Sequence, residues 1–201
     1  MRRQYGNDQI GATERSDIVL LIDELGKITE WMQENVCNHI NLYEPTDKIG
    51  KTIPKTVHPT AFTMFIPSQD MVKAKKMPAL CVQLDDGTED LTTNESSINI
   101  KLFFAVWNPG RFVKCEDGIK CIPDVEGWKD VLRFMDKTQR EIEKTIYIAD
   151  MRVDRKIPIT YEFYKTKDGI ADAWPYWYGQ MSFTLKSGMA AVPVKSYQEL
   201  L

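Results

Sequence analysis

The side chains with chemistry to offer are two histidines, four cysteines, one run of carboxylates and one cluster of aromatic rings. A nucleophile needs a positioned base, most often histidine. His39 lies just past a helical pattern, where a cation favours the negative helix end, and that role outweighs catalysis. His58 precedes Pro59 in an irregular stretch and reads as a loop residue. Cys37 and His39 are too close in sequence to imply the geometry of a catalytic dyad. The carboxylates Asp85, Asp86, Glu89, Asp90 and Glu95 fall within residues 85–97, a stretch with no lysine or arginine. They are the best metal candidates, but they lack the alternating register and closing glutamate of a calcium loop. A solvated acidic loop is the expectation. Trp174, Tyr176, Trp177 and Tyr178 crowd around Pro175. Such amphipathic rings suit a ligand cage, a base-stacking platform or an interface. Packing in the core or at a sheet edge comes first, a subunit contact second. Base stacking comes last, because few basic residues interleave with the rings. No residue is assigned as catalytic, cofactor-binding or metal-ligating.

These groups sit in a chain of 201 residues, most simply one domain, long enough to bury about 70% of its extended surface. Apolar content of 43% and charged content of 27% are ordinary for a globular protein. A net charge of −3 gives no general attraction to DNA or anionic lipid, although a local basic patch stays open. No run of about 18 apolar residues is present, so no membrane helix is expected. Arg2 and Arg3 are not followed by an apolar stretch, so no secretory signal is expected either, and a reducing cytoplasm is the expected compartment. Cys37 and Cys81 then read as small buried hydrophobes. Cys115 and Cys121 flank Asp117-Gly118, a hairpin signal. A disulfide across that turn is geometrically possible, while a reducing compartment favours two free thiols. Zinc is disfavoured, because no Cys-x₂₋₄-Cys spacing or paired histidine accompanies them.

The elements that must position these residues follow from periodicity. Residues 1–15 are polar and read as a flexible arm. Ser16 and Asp17 are good N-caps, after which Ile18, Leu21, Ile22, Leu25, Ile28, Met32 and Val36 form one helix face over about residues 17–36. Residues 42–77 are an irregular, proline-interrupted insertion inside a domain spanning 16–186, with a candidate strand at 61–66. Residues 79–84 read as a strand that stops at Asp85-Asp86-Gly87. Ile98, Ile100, Leu102, Phe104 and Val106 then alternate with residues that include Phe103 and Trp107. That pattern predicts a central strand, covered on both faces. A second helix begins near Gly127, with Trp128, Val131, Leu132, Met135, Gln139, Ile142 and Ile146 inward. On its outside, Asp136–Arg140 and Lys137–Glu141 are spaced as i,i+4 ion pairs. Strands at 159–164 and 176–186 close the domain, the second with Trp177, Gly179, Met181, Phe183 and Leu185 on one face. Residues 187–201 read as a loosely packed extension. The fold class is therefore α+β, a single mixed, mainly antiparallel sheet flanked by two main helices.

The order helix, strand pair, helix, strand pair, ending in Pro175-Tyr176-Trp177-Tyr178-Gly179-Gln180-Met181-Ser182-Phe183-Thr184-Leu185, resembles the tail terminator (tail completion) proteins of long-tailed bacteriophages. The resemblance covers about residues 17–186. It implies a non-enzymatic virion protein of the tail and neck, assembled in the host cytoplasm as a homo-oligomer, a hexameric ring. Such a ring caps the tail tube, stops its polymerisation and joins the tail to the head. The implied partners are further copies of the chain, the tail tube protein and the head–neck connector proteins, with DNA passing through the lumen without specific binding and no membrane or cofactor involved. Under that resemblance Asp85, Asp86, Glu89, Asp90 and Glu95 are candidates for a lumen- or tube-facing segment, and Trp174, Tyr176, Trp177 and Tyr178 for a subunit interface. Another neck protein, a head-closure or head–tail connector, shares this texture. A small-ligand-binding or hydrolytic enzyme, with a pocket near residues 174–178 and an acid such as Glu162, is the reading from a different class.

Overall fold

A computed structural model describes residues 16–66, 77–90, 92, 95–116, 118–166, 169–170 and 173–188. The expected arm at 1–15 and most of the expected extension at 187–201 lie outside them. Helix α1 (Ser16–Asn35) leads through a 3₁₀ turn (Cys37–His39) to β1 (Leu42–Tyr43), β2 (Thr56–Val57) and β3 (Thr60–Thr63). Two long strands follow, β4 (Ala79–Asp90) and β5 (Glu95–Trp107), then a hairpin of β6 (Gly110–Cys115) and β7 (Gly118–Pro123). Helix α2 (Trp128–Lys144) precedes β8 (Tyr147–Ile148), β9 (Met151–Val153), β10 (Thr160–Phe163), β11 (Lys165–Thr166), β12 (Gly169–Ile170) and β13 (Tyr176–Gly188).

The fold class is the expected one, a mixed α+β domain on a mainly antiparallel sheet. The main sheet has seven strands in the order β3-β4-β5-β13-β9-β8, with β10 also on β13, and β3–β4 is its parallel pair. Three two-stranded ribbons, β1–β2, β6–β7 and β11–β12, add to it. The insertion at 42–77 is thus less irregular than its prolines suggest, since it supplies β1, β2 and the edge strand β3. β5 is central as expected, paired with β13 over its full length and with β4 from Glu95 to Ala105.

The alternation of β5 decides the layers. Ile98, Ile100, Leu102, Phe104 and Val106 are buried toward the helices together with Leu80, Val82, Met181, Phe183 and Leu185. Trp107 and Ala105 on the opposite face are buried too. Helix α2 packs on β13 at Gly179, where an added Cβ would lie 2.7 Å from Val131 Cγ1 and 2.9 Å from Met135 Sδ. Glycine is there because helix and strand approach too closely for a side chain.

Helix α1 guards the β3 edge. The Gln33 side chain accepts the Ala61 N–H at 2.8 Å and donates to Pro59 O at 3.2 Å, so it continues the ladder where the strands end. The Thr63 hydroxyl lies 2.9 Å from that of Thr29.

Both helix stripes needed correction. On α1, Leu25, Ile28, Met32 and Val36 are buried, but Leu21 and Ile22 are exposed at 39% and 66%. The strand beside α1 stops at Thr63, opposite Thr29, so the first turns of the helix extend past it. On α2 the buried row is Val131, Phe134, Met135, Thr138 and Ile142. Phe134 meets Phe104 edge-on at 5.0 Å, whereas Trp128 at the start of the helix and Ile146, past its end, are exposed. The inward face is centred one position round from the expected stripe. Thr138 hides its hydroxyl on Phe134 O at 2.9 Å, which lets a polar residue sit in the core. The outward ion pairs Lys137–Glu141 and Arg140–Asp136 are present at 2.8 and 3.1 Å.

Candidate interaction surfaces

The acidic run is not a loop. β4 continues through Asp85, Asp86, Glu89 and Asp90, and β5 starts at Glu95, so residues 85–90 and 95–97 form the outer part of a hairpin. A bulge between Leu84 and Asp86 shifts the register, after which Asp86 faces Asn99, Thr88 faces Ser97 and Asp90 faces Glu95. The sequence stops alternating apolar residues here because the ribbon leaves the core. Ile98 is the outermost buried residue of β5, and residues 85–90 are all exposed. Polar side chains then hold the strands in register: Asn99 Nδ2 donates to Asp86 Oδ1 at 2.6 Å, and the Thr88 and Ser97 hydroxyls meet at 2.8 Å. β13 runs beside the ribbon to its end, with Gly188 opposite Glu95. Asp90 and Glu95 are direct cross-strand neighbours of like charge, an arrangement that opposes pairing. Among the described residues, no group of three or more His, Cys, Asp or Glu side chains is arranged to hold a metal.

The aromatic cluster divides. Trp177 turns inward and packs against the core, donating its indole N–H to Asn108 O at 3.0 Å. An added Cβ at Gly127 would fall 2.1 Å from the same indole nitrogen. Trp177 is therefore engaged by contacts within its own chain. Tyr176 and Tyr178 are half-buried on the other face of β13, Tyr178 in an edge contact with Tyr164 at 6.5 Å. Burial, then the neighbouring Tyr176, pushes the Tyr178 phenol up. Trp174 is 44% exposed.

Glu162, the candidate acid, lies on β10 with its carboxylate taken by Lys165 at 3.1 Å and by the Gln180 amide. The Lys165 bond leads in holding its pKa below the usual range, so it stays ionised near neutrality and is a poor proton donor.

The histidines and cysteines lie apart from this face. His39 is exposed in the 3₁₀ turn, and His58 Nδ1 is 2.8 Å from Ile40 O, which makes that nitrogen the protonated one. Burial pushes the Cys37 thiol up to about 12 and that of Cys81 up to about 11, so neither supplies a thiolate at neutral pH. In the β6–β7 hairpin Cys115 faces Gly118 and Cys121 faces Phe112, so the two cysteines are not cross-strand partners.

A feature that the sequence pattern did not signal is an open cleft of about 580 Å³ at the other end of β5 from the acidic ribbon. It is bounded by β1, β6 and the start of α2, and includes Tyr43, Asn108, Arg111, Val113 and Arg133. Its charges are matched locally: Arg111 with Asp124 at 3.5 Å, Lys129 with Glu126 at 2.6 Å and Arg133 with Asp130 at 3.2 Å. Phe112 turns into the domain against Tyr43 at 5.7 Å. The alternate residues Arg111, Val113, Lys120 and Ile122 share the opposite, outward face, where Val113 and Ile122 are 41% and 40% exposed. The pairing of β6 with β7 was legible in Asp117-Gly118, but the sidedness of its charges depends on the register.

No family model matches the chain, and no curated protein matches it. Among the described residues no helix is long and apolar enough to cross a membrane. The fold and these surfaces define a mixed α+β protein with an acidic ribbon at one end of its sheet and, at the other, a cleft of locally paired charges beside the β6–β7 hairpin.

Proposed function

We propose that the chain is a virion structural protein, a tail terminator of a long-tailed bacteriophage. Its copies form a hexameric ring that caps the tail tube, stops tube polymerisation and provides the surface for joining to the head. The observation that carries this reading is the ribbon of β4 and β5, which leaves the core past Ile98 and bears five carboxylates and no cation over residues 85–97. A subunit lining a passage for DNA benefits from such a projection, because like charge keeps the polymer from adhering. Exposed apolar side chains also support assembly. Ile22 on α1 is 66% exposed and Phe65, just past β3, is 62% exposed. The contacts of α1 with β3 place both at the ribbon end of the molecule, and apolar groups clustered in this way mark contact surfaces.

Size-exclusion chromatography with light scattering, followed by negative-stain imaging, tests the reading. The expected result is a ring, alone or on addition of tail tube protein. A chain that stays monomeric beside tube protein overturns it.

A further inference from the structure

We infer that neighbouring copies meet through a head-to-tail contact, in which the outward face of the β6–β7 hairpin of one copy docks on the acidic β4–β5 ribbon of the next. This inference rests on the ring reading and names the interface within it. Three observations carry it.

The first is charge. Asp86, Asp90 and Glu95 share one face of the ribbon, since Asp86 faces Asn99 and Asp90 faces Glu95 with Thr88–Ser97 between them. Arg111 and Lys120 share the outward face of the hairpin with Val113 and Ile122. Lys120 forms no ion pair among the described residues, whereas Lys114 lies on the opposite face of the hairpin with Phe112. Asp130 and Glu126 in the neighbouring cleft are matched by Arg133 and Lys129, and Arg111 stays 75% exposed beside Asp124 at 3.5 Å, which leaves its guanidinium open to a second carboxylate.

The second is distance. β5 runs from Glu95 at the ribbon end to Trp107, and β6 begins at Gly110. At about 3.3 Å per residue the two surfaces are about 40 Å apart along the sheet. They cannot meet within one chain, so their complementarity is available to two copies. A contact between two different patches of the same chain is heterologous, the kind that closes into a ring when the rotation allows.

The third is the strand edge. β3 pairs with β4 only as far as Val82. Beyond it, no strand lies on the outer edge of β4 among the described residues. An edge bearing only acidic charge rejects a second acidic edge and accepts a basic one. The carboxylates of Asp85 and Glu89 are left for the lumen, so the contact is compatible with an acidic passage.

A charge swap tests the contact in the full chain by light scattering. One variant carries Asp86→Lys and Glu95→Lys, a second carries Arg111→Glu and Lys120→Glu, and a third carries all four substitutions. The expected result is that the first two run at monomer mass while the third regains the wild-type oligomer mass. Reassembly of the third also shows that the four substitutions leave the fold intact. If the wild type forms rings and the first two variants do so equally well, the contact is refuted and the ring reading stands. A third variant that stays monomeric while the wild type assembles also refutes the contact. If the wild type itself is monomeric with and without tube protein, the ring reading falls and the contact falls with it.

Discussion

Replacing Gly179 by alanine tests the packing that sets helix α2 on the sheet. The new Cβ would lie 2.7 Å from Val131 Cγ1, 2.9 Å from Met135 Sδ and 3.2 Å from Met135 Cε. Separations below 3.0 Å force a neighbour to move. Met135 can give way, because its thioether chain has several rotatable bonds. Val131 cannot follow as easily, because a β-branched residue in a helix has one strongly preferred rotamer. Overpacking of this kind costs about 1–3 kcal/mol. Removing a glycine from a strand returns roughly 0.5–1 kcal/mol of backbone entropy. The net expectation is a loss of about 1–2 kcal/mol, read as a lower urea midpoint at unchanged slope. Val131→Ala removes the obstructing methyl group. Valine to alanine should therefore cost less in the Gly179→Ala background than in the wild type, with a coupling on the order of 1 kcal/mol. An unchanged midpoint for Gly179→Ala, or strictly additive effects in the double variant, would refute the close-approach argument.

Two further outcomes follow from the same geometry. Asp154 is buried, accepts the Lys156 N–H at 3.0 Å and meets Lys186 Nζ at 3.0 Å. The backbone bond first and the Lys186 bond second hold its pKa below the usual carboxylate range. A depressed folded-state pKa gives stability that is present above the unfolded value of about 3.9 and lost as pH falls through the folded one. Asp154→Asn should lower the urea midpoint at pH 7 and narrow the gap between midpoints at pH 7 and pH 3; an unchanged gap counts against this role. Trp177→Phe keeps most of the ring and removes the indole N–H donated to Asn108 O. It should cost about 1 kcal/mol, a fall of roughly 2–4 °C in a thermal melt, with the mass in solution unchanged because the indole is engaged inside its own chain. Loss of assembly at unchanged melting temperature would place Trp177 at the interface instead.

The sequence by itself determined the elements and much of the core. Alternation from Ile98 to Val106 identified a central strand because a strand covered on both faces must carry apolar groups on both. Three- and four-residue spacing located α1 and α2, and Asp117-Gly118 located the turn between β6 and β7. Local physics suffices for these, since each depends on neighbours within a few residues. The tertiary structure decided where each element ends and which side of it is used. The acidic run looked like a loop because charged residues do not alternate with apolar ones; it is strand because β5 folds back on it as a hairpin and β13, from far along the chain, pairs with β5 out to the same end. Leu21 and Ile22 fit the helical period but are exposed, since periodicity does not record where the neighbouring strand stops. Trp177 and Tyr178 are adjacent and chemically alike, yet one reaches Asn108 in the interior and the other meets Tyr164 on the opposite face. The placement of the acidic ribbon and the β6–β7 hairpin at opposite ends of one strand is likewise a property of the folded sheet, because charge spacing along a chain carries no direction in space until the register is set.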